Sequence, residues 1–172
     1  MATAAQLEDW RYCPRCQAPL EHADGSVLCP SCGLAEYANP APTVSALVRD
    51  EQGRILLARR AVDPGAGLWD LIGGFMDEGE KPLETLRREL LEETGLEVEP
   101  GEFLGGLADT YGPDGNATIN FYWEARLPEG EPRAADDIAE LAWFPGDALP
   151  PRGEFAFANT VELLERVGAK LS

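Results

Sequence analysis

The sequence predicts an α/β sandwich domain preceded by a small metal-stapled module, and three observations predict it. Runs of β-type composition and two stretches of helical periodicity are interspersed between residues 43 and 170. Two C-x-x-C pairs stand ahead of them. Between the cysteines and the first strand, the prolines at Pro40 and Pro42 hold the chain extended, as a short linker. The expected division is a cysteine module over residues 1–37 and a mixed strand–helix domain over residues 38–172. Mixed elements of this kind argue for a sandwich rather than a bundle or a barrel.

In chain order, residues 43–49 and 54–60 read as two strands, joined as a hairpin by Asp50-Glu51-Gln52-Gly53. A Gly/Pro-rich loop at 63–67 leads into a short apolar run, 68–72. Pro82 to Thr94 reads as a helix, with Pro in its first turn and Gly95 just past its end. Residues 103–108, 118–127 and 140–144 read as strands. The intervening stretch 111–117 is long enough to line a site. Residues 159–170 read as a closing helix, with Asn159 as N-cap and Val161, Leu164 and Val167 as its apolar stripe.

Bulk properties bound the function. Apolar residues make up 44% of the chain, a globular proportion, and no run approaches the ~18 apolar residues of a membrane span. The opening residues lack the basic and apolar regions of a secretory leader, so a cytoplasmic setting without membrane attachment is expected. In that reducing setting four cysteines favour metal over disulfides. Acidic residues outnumber basic ones 31 to 14, a net charge of −17. Such a chain works against its own field in binding nucleic acid, so none is expected as a partner. It also repels anionic substrates, and any phosphate chemistry here requires divalent cations.

Cys13-Pro-Arg-Cys16 and Cys29-Pro-Ser-Cys32 are separated by twelve residues. Each pair presents two thiolates from one tight turn, and two such turns make a tetrahedral S₄ site for structural Zn²⁺. Asp24-Gly25 between them suits a hairpin turn. With only Arg11 and Arg15 against Glu21, Asp24 and Glu36, the ribbon offers no phosphate-binding patch. Its expected role is a staple or a dimer contact, which leaves a homodimer open. His22, the single histidine, reads as an ordinary loop residue.

The segment from Gly73 to Leu96 carries most of the chemistry. On a wheel of ~100° per residue, Leu83, Leu86 and Leu90 form a buried stripe. Glu89 and Glu93 lie beside that stripe and Glu92 one step further round, all three within roughly 100°. Like charges at i,i+4 cost ~0.2–0.5 kcal/mol and solvated faces avoid them. Hard oxygen ligands grouped in this way suit Mg²⁺ or Mn²⁺. Arg88 is placed to pair with Glu84 and Glu92 at i±4.

Gly74, then Glu80, then Arg88-Glu89-Leu90-Leu91-Glu92-Glu93-Thr94-Gly95-Leu96 matches the signature of the Nudix hydrolases at every fixed position. The chain resembles that family from about Pro42 to Leu171. It includes Arg59-Arg60 at a strand end, Gly67-Leu68-Trp69, and the strand Glu140-x-x-Trp143-Phe144. Ile72 departs from the proline many members carry there. The resemblance implies a Nudix-type α/β/α sandwich with a mixed sheet and an acidic helix holding divalent ions. Glu89 and Glu93 would be main ligands, Glu92 a further carboxylate, and the Gly73 carbonyl would complete the shell. Glu80 and Arg88 would orient them. The metals would activate a water for attack at phosphorus, with Glu93, Glu89 or Glu140 as base.

A zinc ribbon joined to this signature resembles two groups, the NADH pyrophosphatases and the FAD/ADP-ribose pyrophosphatases. The first carries a Ser-Gln-Pro-Trp-Pro-Phe-Pro array where this chain has Leu107-Ala-Asp-Thr-Tyr-Gly-Pro-Asp-Gly, which favours the second. The expected substrate is a small nucleotide, a nucleoside diphosphate linked to another moiety, with ADP-ribose, FAD and NADH as leading forms. Tyr111, Arg59, Trp69 and Glu140 are candidate substrate contacts. Of the aromatics Trp69, Tyr111, Phe121 and Trp123, most suit the core and Tyr111 is the best loop candidate. Rival readings are a non-catalytic nucleotide-sensing module, a hydrolase of (d)NTPs or diadenosine polyphosphates, and a diphosphate isomerase. The last needs a cysteine at the site, and all four are committed to the ribbon.

Overall fold

A computed structural model describes residues 4–127 and 130–172, with side chains from residue 7 onward. The chain divides into two compact units, Met1–Ala41 with Thr110–Thr118, and Pro42–Asp109 with Ile119–Ser172. Among the described residues no helix is long and apolar enough to cross a membrane.

In the first unit a short helix α1 (Ala4–Asp9) precedes β1 (Glu21–Ala23), β2 (Ser26–Leu28) and β3 (Ala35–Tyr37). These strands form an antiparallel sheet in chain order. Ala23 and Ser26 face each other across Asp24-Gly25. The turn puts Gly25 at φ 65°, a conformation that Asp-Gly supplies cheaply. His22 lies exposed on β1 rather than in a loop. The buried apolar residues of this unit are Leu7, Cys13, Val27 and Cys29 among those described. So small a core does not hold a fold, and two of its members are cysteines.

The remaining strands and α-helices are β4 (Ala41–Val48), β5 (Ile55–Arg60), β6 (Trp69–Asp70), β7 (Ile72–Phe75), α2 (Pro82–Thr94), β8 (Glu99–Tyr111), β9 (Asn116–Arg126), β10 (Ile138–Phe144) and α3 (Ala158–Arg166), all within the second unit except the end residues of β4, β8 and β9 at 41, 110–111 and 116–118. One sheet runs β7-β4-β9-β8 and the other β10-β5-β6. Even-numbered Val44, Ala46 and Val48 of β4 pack with Leu86 and Leu90 of α2. Odd-numbered Leu47 packs with Ile55, Leu57, Tyr122 and the α3 residues Val161, Leu163 and Leu164. The four-stranded sheet is therefore buried on both faces at β4, whose residues 44–48 are all buried, Ser45 among them.

Several expectations change here. The turn at Asp50 forms, with Gly53 N–H donating to Asp50 O at 3.0 Å. Beyond one bridge from Arg49 to Ile55, however, β4 and β5 part into different sheets. Each strand is buried on two sides, so each needs its own sheet neighbours. The expected loop at 111–117 contracts to a turn, because β8 extends to Tyr111 and β9 begins at Asn116. α3 ends at Arg166, with Val167 half-buried beyond it. Asn159 does not cap α3: it is buried inside the first turn, and its N–H donates to Asp109 Oδ2 at 2.9 Å. A carboxylate from β8 serves that helix N-terminus instead.

α2 keeps its expected ends. Pro82 opens it, and Gly95, at φ 73°, closes it with its N–H on Leu91 O at 2.8 Å. Leu83, in the first turn, is 36% exposed and drops out of the stripe. The buried face is Thr85, Leu86, Leu90, Glu93 and Thr94. At ~100° per residue Glu93 falls in the middle of that face rather than beside it.

Candidate active site and metal centre

Glu93 is 6% exposed, and its Oε2 accepts the N–H of Gly73 at 3.1 Å. Gly73 sits at φ 152°, and a Cβ there would lie 2.0 Å from the Val44 carbonyl oxygen, so only glycine fits. Gly74 leaves room of a different kind. A Cβ on it would meet the Glu89 carboxylate at 2.4 Å. Two carboxylates of α2 thus lie on β7, Glu93 on the Gly73 N–H and Glu89 in the space beside Gly74.

Arg88 locks the rest. Its Nε and Nη2 donate to Glu80 Oε1 and Oε2 at 2.8 and 2.9 Å, a two-pronged guanidinium–carboxylate pair. Nη2 also reaches Phe75 O at 3.1 Å, and Nη1 reaches Glu89 Oε1 at 2.8 Å and Glu92 Oε2 at 3.3 Å. Glu80 further accepts from Thr85 Oγ1 at 2.7 Å and Asp77 N–H at 3.1 Å. These donors hold its carboxyl down at about 2, Arg88 contributing most. The expected Arg88–Glu84 pair does not form, because Glu84 turns to Lys81, accepting its N–H at 3.0 Å. Arg88 is drawn to the loop acid Glu80, outside the helix register, which an i±4 rule cannot anticipate.

The three acids fan out. Glu93 points inward and Glu89 lies against Gly74, while Glu92 is half-exposed on Arg88. Burial raises the Glu93 carboxyl to about 8, and the charges of Glu89 and Asp70 add to this, against opposing help from Gly73 N–H and Arg60. Burial also raises Glu89, despite the adjacent Arg88. Two neighbouring carboxylates short of positive charge fit a cation that supplies it.

A carboxyl whose folded value lies above its unfolded one favours folding while protonated, and this contribution is lost as pH rises from ~4.3 through about 8. Metal-free protein should therefore melt progressively lower across that window, and millimolar Mg²⁺ or Mn²⁺ should restore Tm at pH 8–9 but scarcely at pH 5. Thermal melts of wild type and Glu93→Gln check this. Identical pH slopes in the two proteins would remove Glu93 as the cause.

The other candidates form a separate assembly. Arg59 Nε donates to Glu140 Oε2 at 2.9 Å, across the register that pairs them on β5 and β10. Its Nη1 reaches Gly67 O at 2.9 Å, and its guanidinium lies 4.2 Å from the Trp69 ring centroid. Trp69 is itself buried and meets Phe144 edge-on at 5.1 Å, so its ring belongs to the core. Phe121 and Trp123 pack on the α2 side with Phe103, whose centroid is 4.9 Å from that of Trp123. Tyr111 ends β8 within the first unit. Ile72 is a fully buried residue of β7 opposite Ala46.

Sequence reasoning missed Asp70, Asp109 and Thr160. Thr160 Oγ1 donates to Asp70 Oδ1 at 2.5 Å, and burial lifts the Asp70 carboxyl to about 6. The available signal was an acid inside the apolar run 68–72.

In the first unit all four cysteine sulfurs lie within 4.8 Å of one another, the one such group of three or more metal-binding side chains among the described residues. Cys13 and Cys32 sulfurs are 3.6 Å apart, and those of Cys16 and Cys29 3.5 Å. Zn–S bonds of ~2.3 Å set tetrahedral edges of about 3.8 Å, so the spacing fits. The two turns match: Gln17 N–H donates to Cys13 O and Gly33 N–H to Cys29 O, with φ of 61° and 72°. Arg15 N–H also points at Cys13 Sγ, 3.4 Å away.

With this geometry in place, comparison with known proteins is direct. The NUDIX domain family matches residues 39–164. The chain is 33% identical over 158 residues to the human mitochondrial NAD(P)H pyrophosphatase NUDT13, covering 87% of this chain and 44% of that protein. It is 30% identical over 154 residues to the NAD-capped RNA hydrolase NudC of Pseudomonas aeruginosa, covering 86% and 54%. The chain thus spans about half the length of the curated relatives it matches. Among solved structures, a MutT NUDIX hydrolase from Burkholderia pseudomallei is 30% identical with a TM-score of 0.67, covering 75% of this chain and 98% of that one. A NUDIX hydrolase from Nitrosomonas europaea, 24% identical, shares the fold at a TM-score of 0.68 over 94% of this chain and 96% of its own. The glycine-backed acids of α2 and the match over most of the chain lead to one conclusion: this protein belongs to the Nudix hydrolase family.

Proposed function

We propose that the chain is a divalent-metal-dependent pyrophosphohydrolase that cleaves the diphosphate bond of a nucleoside diphosphate linked to another moiety. The observation that carries this reading is Glu93, a nearly buried acid on Gly73 N–H beside a second acid, Glu89, with one arginine shared among Glu80, Glu89 and Glu92. Mg²⁺ or Mn²⁺, when bound, neutralises the diphosphate and makes a coordinated water acidic enough to attack phosphorus. Glu89, Glu92, Glu93 and the Gly73 carbonyl would hold it. Glu80 fixes Arg88, and Arg88 fixes the orientation of Glu89 and Glu92. In the first unit Cys13, Cys16, Cys29 and Cys32 would hold a structural Zn²⁺. The expected division at residues 37 and 38 separates that zinc ribbon from the hydrolase.

The activities of the relatives move NADH-type dinucleotides to the front, ahead of the ADP-ribose and FAD forms that the missing downstream array favours. A Mg²⁺-dependent release assay across NADH, ADP-ribose, FAD, an NAD-capped oligoribonucleotide, diadenosine polyphosphates and dNTPs tests the reading. AMP release from at least one of the diphosphate-linked substrates is expected, with NADH foremost. Turnover confined to dNTPs, or none with any substrate, would contradict it.

A further inference from the structure

We infer that Thr160 of α3 is a positioning residue for the cation site, acting through Asp70 and the strand crossover at Leu71 on Gly73 and Glu93. This rests on the metal-dependent reading above and deepens it. β6 ends at Asp70 in the sheet β10-β5-β6, and β7 begins at Ile72 in the sheet β7-β4-β9-β8. The chain thus passes from one sheet to the other at a single residue, Leu71. Gly73, whose N–H meets Glu93 Oε2 at 3.1 Å, follows closely behind it. A shift of the crossover moves Gly73 and, with it, the carboxylate.

β7 is held along one edge by β4, with Ser45 opposite Gly73. The crossover is gripped from elsewhere, by the segment that leads into α3. Phe155 pairs with Trp69 as a parallel bridge, and Ala156 N–H donates to Trp69 O at 2.9 Å. Trp69 and Leu71 share a buried cluster with Phe155, Val161 and Leu164. Apolar packing is non-directional, and on its own it leaves small slips open. Thr160 removes them. Its Oγ1 donates to Asp70 Oδ1 at 2.5 Å, and that same oxygen accepts the Leu71 N–H at 2.8 Å. One carboxylate oxygen therefore ties the crossover residue to the helix.

The start of α3 is a fixed base for this contact, because Asp109 Oδ2 accepts the N–H of Asn159 at 2.9 Å. Thr160 is 1% exposed, and a hydrogen bond to a charged acceptor is among the stronger kind. Valine has the same shape and would suit the adjacent apolar cluster better, so the hydroxyl serves its acceptor rather than the core. Asp70 in turn bears on the site directly, since its charge acts on Glu93. The connection runs from Thr160 through Asp70, Leu71 and Gly73 to Glu93, and an error in its first link is carried to the last.

Mn²⁺ titration of the full chain without substrate, read by electron paramagnetic resonance, tests this on Thr160→Val, Thr160→Ser and Leu149→Ala. Leu149 is a fully buried control whose backbone pairs with Lys170 and Ser172 rather than with β6. Thr160→Val should weaken Mn²⁺ binding about tenfold and, in metal-free protein, speed amide exchange at Gly73. Thr160→Ser, which keeps the hydroxyl, should restore both. Leu149→Ala should lower the melting temperature at least as far while leaving Mn²⁺ affinity unchanged. Unchanged affinity in Thr160→Val, no rescue by serine, or an equal loss in Leu149→Ala would make Thr160 a merely structural contact and overturn the inference. Thr160→Ala, which removes the hydroxyl without adding bulk, takes the place of the valine variant if that one does not fold. A wild type that binds no Mn²⁺ overturns the metal-dependent reading alone, and exchange at Gly73 then decides on Thr160.

Discussion

Glu93→Gln should lower kcat on the preferred substrate by on the order of 10³-fold, a loss of ~4 kcal/mol of transition-state stabilisation, while the protein stays folded. The two effects separate because of where Glu93 sits. Its carboxylate is nearly buried, on a backbone N–H and beside Glu89, so the charge is a cost to the metal-free fold. Glutamine keeps the shape and one oxygen for the Gly73 N–H but removes that charge. Above pH 8 the metal-free variant should melt at or above the wild-type temperature. A residue maintained against stability is maintained for something else. Steady-state kinetics with a circular dichroism melt check both halves. Near wild-type turnover would mean that Glu93 holds no cation.

Cys29→Ser should abolish the first unit as a folded body. The cysteine is fully buried, its sulfur lies 3.5 Å from that of Cys16, and only Leu7, Cys13 and Val27 share the interior with it among the described residues. With so little apolar area to bury, metal binding and folding become one free energy, about 10–16 kcal/mol for structural zinc sites. Zinc content should fall from about one ion per chain to near zero, and limited proteolysis should then cut within residues 10–37. Retained zinc, or unchanged protease resistance in a zinc-free protein, would contradict the staple.

Much of this was legible in the sequence because it is written locally. The ends of α2 follow from Pro82 and Gly95, the ribbon from the cysteine spacing, and the β1–β2 turn from Asp24-Gly25. The acids of α2 could be placed on one side of a helix, but their different fates could not. Glu93 meets the Gly73 N–H and Glu89 lies against Gly74, whereas Glu92 meets only Arg88, and these partners come from outside the local helix pattern. The 43–60 hairpin was misread for a related reason. Turn chemistry at Asp50 is local, whereas the separation of β4 from β5 reflects partners more than twenty residues away for β7 and some eighty for β10. The contact of Thr160 with Asp70 was least visible, because the two lie ninety residues apart and only the packing of α3 against β6 brings them together.

On the proposed reading, the buried acids of α2 hold a divalent cation against an otherwise repellent, anionic protein. Mn²⁺ titration followed by electron paramagnetic resonance, with AMP present, reads this most directly. Wild type should bind at least one ion per chain, and Glu93→Gln and Glu89→Gln should each weaken that binding by about tenfold or more. Mn²⁺ affinity unchanged in both variants would mean that these acids hold no cation.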